Sequence, residues 1–314
     1  MVTGTSDTIA VFVPSVLNPF FGRVMHGVTD TAVPTGYNVF LCYTESREQV
    51  ERQIEAVIGL NVDGVIFFDM AITGSQVLQL SRAGIPCVLV DNEFDISGAP
   101  CIRTDNAGGG RIATDFLLDL GHRRIAHIHG ALEPPIVHSG TPESPIPGPE
   151  ASVSFEGLFQ RRIWQERLQG YLEALGARSL TPDPALIVQG DGTTEGGVQG
   201  GCEAMKTLLQ RGERPSAVYA GNDLMAIGVL QACRDEGLDV PRDVSVIGFD
   251  DIDMSTLVTP PLTTIRQQRH KLGTKATELL LRSLGREVEM EEVSIQPELV
   301  IRSSTAPPSP AVSP

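Results

Sequence analysis

The sequence predicts an α/β protein built from two Rossmann-like, doubly wound lobes with parallel sheets. Three observations lead there. The strand-length apolar runs are nearly continuous rather than alternating, as in strands covered by helices on both faces. Each run ends in a polar or glycine-containing turn followed by a stretch of helical period. The rhythm then starts afresh near the middle of the 314 residues, a length that suits two domains of ordinary size.

"TIAVFVP" (8–14) leads to a helix near 19–34, "YNVFLCYT" (37–44) to one at 47–60, and "DGVIFFD" (63–69) to one at 74–83. "PCVLVD" (86–91) and "PCIRTD" (100–105) precede a helix near 107–120, where Ile112, Phe116, Leu117 and Leu120 form the apolar stripe and Gly121 ends it. The second series runs from "RIAHIHG" (124–130) to a helix at 161–175, from "ALIVQGD" (185–191) to 195–211, and from "SAVYAGND" (216–223) to 224–236, and closes on "VSVIGFDD" (244–251). Gly237 suits the position just past a helix end. The boundary between the series falls near 120–124. Two segments break the rhythm: 131–158 is rich in proline and too long for an ordinary connection, so it reads as a flap, and 306–314, "APPSPAVSP", reads as a disordered end.

Composition narrows the function. Apolar residues make up 41% and charged residues 20%, which favours a folded chain. With 24 Lys and Arg against 39 Asp and Glu, the net charge is −15. Such a chain does not grip a phosphate backbone by itself. No run approaches the ~18 apolar residues of a membrane span, and the first residues lack the pattern of a signal peptide, so a cytoplasmic location is expected. Cys42, Cys87, Cys101, Cys202 and Cys233 show no metal-type spacing and read as free thiols.

In open parallel sheets, ligands bind beyond the carboxyl ends of the strands. Those ends carry Ser15, Asn18, Asp69, Asp91, Asn92, Asp105, Asn106, Asn222, Asp223, Asp250 and Asp251. Helix capping competes for several of these. It is the more frequent role for Asp105 and an equal contender for Asp223, whereas Asn222 is harder to explain as a cap and Asp250 ends a strand with no strong helix behind it. Alternation along the strand sends Asp250 toward the ligand side and Asp251 away, to hold the turn. Phe20 and Phe21 offer rings for stacking, one on a ligand and one in the core. Arg161, Trp164 and Arg167, spaced three and three, share a helical face and suit recognition of hydroxyls or carboxylates with ring stacking. Catalytic signatures are thin: "DNAGGGR" is neither a dinucleotide nor a Walker fingerprint, and there is no nucleophile elbow. His127 and His129 share a strand face, with His138 later, but lack an acidic or cysteine partner at metal-site spacing. No metal, cofactor or catalytic residue is expected.

Taken in order, "IAVFVPSVLNPFFGRVMHGV", "VDGVIFF", "GIPCVLVDN", "TDNAGGGRIATDFLLDLGHRRIAHIHG", "RLQGYLEAL", "PSAVYAGNDLMAIGVLQACRDEGLDVPRDVSVIGFDDI", "TPPLTTIRQ" and "QPELVIRSST" make the chain resemble the effector-binding core of the LacI/GalR transcription regulators over about residues 7–305. The resemblance implies the type I periplasmic-binding-protein fold. It assigns 7–121 and 266–294 to the N-terminal lobe and 122–265 and 295–305 to the C-terminal lobe. It implies a small-molecule effector, a sugar or sugar derivative, clamped between the lobes of a homodimer. Phe20, Phe21, Arg167, Arg161, Asn222 and Asp250 match the family's ligand contacts, and Asp105 sits where the family has a cleft or hinge residue. Operator DNA would be contacted only through a helix-turn-helix headpiece, which these residues do not contain. Where many members place an aromatic after "GD", this chain has Gly192, and Trp164 or Phe155 is expected to supply the missing ring face. The flap is expected to narrow effector choice. The rivals are a transport receptor of the same fold, which needs an export signal, and a sugar- or nucleotide-acting enzyme, which needs a nucleophile–base pair or a phosphate loop.

Overall fold

The structure is a computed structural model and describes residues 6–44, 47–68, 71–132, 161–193, 196–284 and 292–309. Asp69, His138, Phe155 and nearly all of the 131–158 flap lie outside these. The described elements are β1 (Thr8–Val13), α1 (Pro19–Ala32), β2 (Asn38–Tyr43), α2 (Arg47–Gly59), β3 (Gly64–Phe68), α3 (Gly74–Arg82), β4 (Cys87–Val90), β5 (Cys101–Thr104), α4 (Asn106–Asp119), β6 (Ile125–His129), α5 (Arg161–Ala177), β7 (Ile187–Gln189), α6 (Gly197–Gln210), β8 (Ala217–Ala220), α7 (Asp223–Asp235), β9 (Ser245–Asp250), β10 (Thr263–Arg266), α8 (Arg269–Ser283), β11 (Glu292–Ile295) and β12 (Glu298–Val300). No helix among the described residues is long and apolar enough to cross a membrane.

The chain forms two compact units. The first comprises residues 1–104 and 268–295. Its sheet has the order β11-β5-β4-β3-β1-β2, and every pairing is parallel. Val11, Val13, Ile66, Val88 and Ile102 from the strands pack with Val24 and Val28 of α1 and Leu272, Ala276 and Leu280 of α8.

The second unit comprises 105–267 and 296–314. Its sheet has the order β12-β10-β9-β8-β6-β7, parallel except for the antiparallel β10–β12 pair. Period two sorts the strand residues between two cores. Ala126, Ile128, Val218 and Val246 face Met205, Leu208, Met225 and Val229 of α6 and α7. Ile125, Ala217, Tyr219, Ile247 and Phe249 face Leu117, Tyr171 and Leu175 of α4 and α5. Each fully buried apolar side chain of this kind contributes about 1.5–3 kcal/mol.

Two expectations change. The first boundary lies at Thr104/Asp105, not 121/122, so α4 belongs to the second unit. The reason is local. Beta carbons on Gly110 of α4 and Gly170 of α5 would run into the facing helix's backbone at Arg167 and Ala107. The two helices therefore touch along their backbones, and the last glycine of "DNAGGGR", Gly110, serves that approach. The other concerns the tail. Residues 306–309 are tied down: the Ala306 N–H donates to Ser245 Oγ at 3.0 Å, Ser245 Oγ and His122 Nε2 lie 2.9 Å from its carbonyl, and Ser309 donates to Arg242 O at 2.7 Å. Residues 310–314 lie outside the described set.

All five cysteines are free, and Cys101 alone is half-buried rather than buried. Burial pushes the Cys42, Cys87 and Cys233 thiols up to about 12, which keeps them unreactive.

His127 is fully buried on β6, stacked between Tyr171 and Tyr219 with ring centroids at 5.2 and 4.5 Å. Its Nδ1 bonds the Tyr219 carbonyl at 3.0 Å, and Nε2 has no hydrogen-bond partner among the described residues. Burial, and then the neighbouring His129, lower its pKa from the ordinary 6.5 to about 3. The folded state thus binds fewer protons than the unfolded chain between those values, and stability falls as pH falls through that window. One site contributes a slope of up to about 1.4 kcal/mol per pH unit. His127→Phe keeps the stack and removes the titration. In urea unfolding at pH 7.5 and 5.0, the wild-type protein should lose about 2 kcal/mol more than this variant; equal losses would contradict the assignment.

Candidate functional site

The polar centre of the second unit is Arg167, reached from the middle of α5. The residue is 3% exposed, so its charge must be met from within. Nε donates to Asn106 Oδ1 at 2.9 Å and Nη1 to the Gly221 carbonyl at 2.6 Å. Nη2 lies 3.7 Å from Asp250 Oδ1. The planar group stacks 3.7 Å from the Phe249 ring centroid and 5.3 Å from that of Trp164. One side chain thereby connects the start of α4, the end of β8 and the end of β9.

Asp250 and Asp251 end β9 with φ of 118° and 55°, a left-handed backbone that costs on the order of 1–3 kcal/mol per residue off the favoured wells. The turn sends the two carboxylates to different partners. Asp250, its side chain 14% exposed, accepts from Gln267 Nε2 at 2.7 Å and faces Arg167. Asp251 pairs with Arg266 at 2.7 Å and with Arg302. Burial opposes its charge, but the hydrogen bonds from Arg302 and Arg266 prevail and hold the carboxyl below the usual range. Asp251 therefore clamps the β9 turn to β10 and the C-terminal segment.

Asn222 and Asp223 exchange the roles weighed from sequence. Asn222 is the N-cap of α7: Oδ1 accepts from Met225 N at 2.8 Å, and Nδ2 donates to Gly192 O at 3.2 Å. Asp223 does not cap. It is fully buried, accepts from Thr264 Oγ1 at 2.5 Å and from Ile252 N at 2.9 Å, and so secures the loop after β9. Burial, and then the charge of Asp250, push its carboxyl well above the ordinary value. Asp105 caps α4 through Gly108 N at 2.7 Å.

Trp164 is buried, 2% exposed, and a beta carbon on Gly192 would come within 2.5 Å of its ring. The indole occupies the space that a side chain at position 192 would need. Gly192 and Trp164 are thus two halves of one solution. Arg161, at the first position of α5, is half-buried, while Arg162 pairs with Glu166 at 2.8 Å. A cavity of about 650 Å³ is lined by Trp164, Gly192, Thr193, β7, Glu203 and Arg211.

In the first unit, Asn18 caps α1 by accepting from Phe20 N at 3.0 Å. Phe20 and Phe21 meet edge to face at 5.2 Å, but both are buried in the core. The expected division into one core ring and one ligand-facing ring is not seen, because the period of α1 turns both toward the sheet. Asp91 and Asn92 are likewise committed, Asp91 to Thr104 at 2.7 and 2.9 Å and Asn92 to the Ile72 backbone. Asn106 and Gln267, which complete the Arg167–Asp250 cluster, were missing from the expected ligand set. Asn106 stood among the strand-end polar residues, whereas Gln267 follows a strand that the apolar pattern does not reveal.

Two units with doubly wound, mostly parallel sheets, the second carrying polar strand ends around a buried arginine, define a periplasmic-binding-protein-like ligand-binding core. Residues 6–135 match the profile described as "periplasmic binding proteins and sugar binding domain of LacI family", and residues 114–305 match "periplasmic binding protein-like domain". The transcriptional repressor CytR of Escherichia coli K12 is 33% identical over 303 residues, covering 96% of this chain and 80% of the relative. The ribose operon repressor of the same organism is 32% identical, covering 95% and 82%. The crystal structure of a LacI family regulator from Enterococcus faecium with bound ribose superposes with a TM-score of 0.77 at 28% identity, covering 96% and 99%. The chain belongs to the LacI family.

Arg167→Ala would remove a donor from Asn106 and the Gly221 carbonyl and the cation beside Asp250, and should cost about 3–5 kcal/mol of stability in denaturant unfolding. Arg167→Lys should recover little, since a compact ammonium cannot span three acceptors in one plane. A loss below about 1 kcal/mol for the alanine variant would show that the guanidinium does not organise this region.

Proposed function

We propose that this chain is the sugar-sensing core of a LacI-family transcriptional regulator, binding its effector without turnover and acting on operator DNA through a headpiece outside these residues. The Arg167–Asp250 cluster carries the reading. A buried arginine beside a slightly exposed carboxylate pairs a fixed donor with a strong acceptor, the chemistry that hydroxyl-rich ligands require. Ribose bound to the Enterococcus faecium relative supports the same class of ligand. In this reading Asp250 accepts ligand hydroxyls and Arg167 donates. Arg161 and Trp164 stand on the same helix as further contacts, and Asn222 and Asp105 contribute by fixing the backbone around the ligand. Asn18, as the cap of α1, and Phe20 and Phe21, with their side chains in the core, shape the first unit's strand ends. Self-association fits the edge strand β2, where Phe40 and Leu41 are about half exposed.

A thermal-shift screen over pentoses, hexoses, disaccharides, nucleosides and purines tests the class. A ligand at 100 times its Kd adds about 2.7 kcal/mol, and stabilisation by purines alone would overturn the sugar reading. With the ligand so found, Asp250→Ala should weaken binding about 10- to 150-fold, from about 1.5–3 kcal/mol per charge-assisted bond. Asp251→Ala should mainly lower stability. Equal loss of binding in both would contradict the division of roles.

A further inference from the structure

The first unit carries a cluster of ligand-type side chains separate from the Arg167–Asp250 cluster of the second. α1 and α8 cross with their backbones in contact, because a beta carbon on Gly27 would collide with the His270 carbonyl and one on Gly273 with the Val24 carbonyl. The approach brings three ligand-type side chains together on the surface. His26 and Asp30 lie one turn apart on α1, and His270 reaches them from the first turn of α8. His26 Nε2 is 3.7 Å from Asp30 Oδ1, and His270 Nε2 is 2.9 Å from Asp30 Oδ2. The two imidazoles meet nearly edge to face, centroids 5.4 Å apart. One ligand atom from each residue lies within 4.8 Å of the others.

We propose that His26, Asp30 and His270 form a surface site for a borderline divalent transition ion of the zinc type. An ion bound at ~2.0–2.2 Å by each donor needs neighbouring donors roughly 3.3–3.5 Å apart in tetrahedral geometry. The His26 and His270 nitrogens lie 3.7 and 2.9 Å from different oxygens of the Asp30 carboxylate, and one donor from each of the three residues lies within 4.8 Å of the others, close to that spacing. The side chains are half exposed or more, so small rotations bring the imidazoles into place. Two imidazoles and a carboxylate select zinc, cobalt, nickel or copper over magnesium or calcium, which take all-oxygen shells. Water fills the fourth position. The glycine contact holds the two helices in fixed register, so the donors are gathered before the ion arrives. Occupancy would rivet α1 to α8 and stiffen the first unit. From sequence only the His26–Asp30 spacing is visible, since His270 is 240 residues from Asp30.

Isothermal titration of the tag-free chain with Zn²⁺ tests the site, with Co²⁺ absorption in the visible as a second readout. The wild-type chain should bind one ion, and His26→Ala and His270→Ala should each weaken that event at least about tenfold, a loss of about 1.4 kcal/mol or more. Both variants should also lose the tetrahedral Co²⁺ bands. All three residues are on the surface, so the variants should keep the wild-type circular dichroism. Zn²⁺ isotherms and Co²⁺ spectra that are the same in wild type and in the His26→Ala/His270→Ala double variant would overturn the proposal, as would the absence of binding in the wild type. Neither result bears on the Arg167–Asp250 cluster, which lies in the second unit.

Discussion

A buried guanidinium is costly unless its charge and donors are met within hydrogen-bond reach, and the second unit is arranged around meeting that demand for Arg167. Asn106 must stand at the start of α4, the Gly221 carbonyl must face inward at the end of β8, and Asp250 must leave β9 on a left-handed backbone. Phe249 and Trp164 supply ring faces on which the plane rests. The backbone contact of α4 and α5 brings Asn106 and Arg167 close enough to bond. Geometry that looks local in each element is set by one side chain they share.

The acidic cluster around the β9 turn follows from the same demand. Asp250, Asp251 and Asp223 lie close together in a chain already rich in acid, yet each has its own compensation. Asp251 is held by Arg266 and Arg302, Asp250 faces Arg167, and Asp223 is buried against Thr264 and the Ile252 amide. Asp250 is thereby left facing the buried cation, with its side chain slightly exposed. That is a useful state for a binding group, since Gln267 and Arg167 fix its position before a ligand arrives.

The sheet strands of the first 250 residues were legible because apolar runs buried on both faces leave a strong signal. The helices between them were legible from their period and glycine stops. What could not be read depended on residues far apart in sequence. The short strand Thr263–Arg266 follows two prolines and carries two buried threonines, so it lacks an apolar signature, and Gln267 went unnoticed with it. The lobe boundary was misplaced because the glycines of α4 announce a helix–helix contact only once α5 is in place. Asn222 and Asp223 are adjacent polar residues at a helix start, and nothing local says which one caps; Thr264, 41 residues away, decides it. Trp164 and Gly192 are similar: each is unremarkable alone, and only their contact explains why the position after "GD" carries no ring.

The central claim is that ligand recognition is organised by Arg167 together with Asp250. A crystal structure of the chain with its stabilising sugar tests this most directly. The account predicts a ligand hydroxyl within hydrogen-bond distance of the Asp250 carboxylate and a second ligand oxygen on the Arg167 guanidinium, with the Asn106 and Gly221 contacts retained. A bound sugar whose oxygens touch neither residue would contradict it.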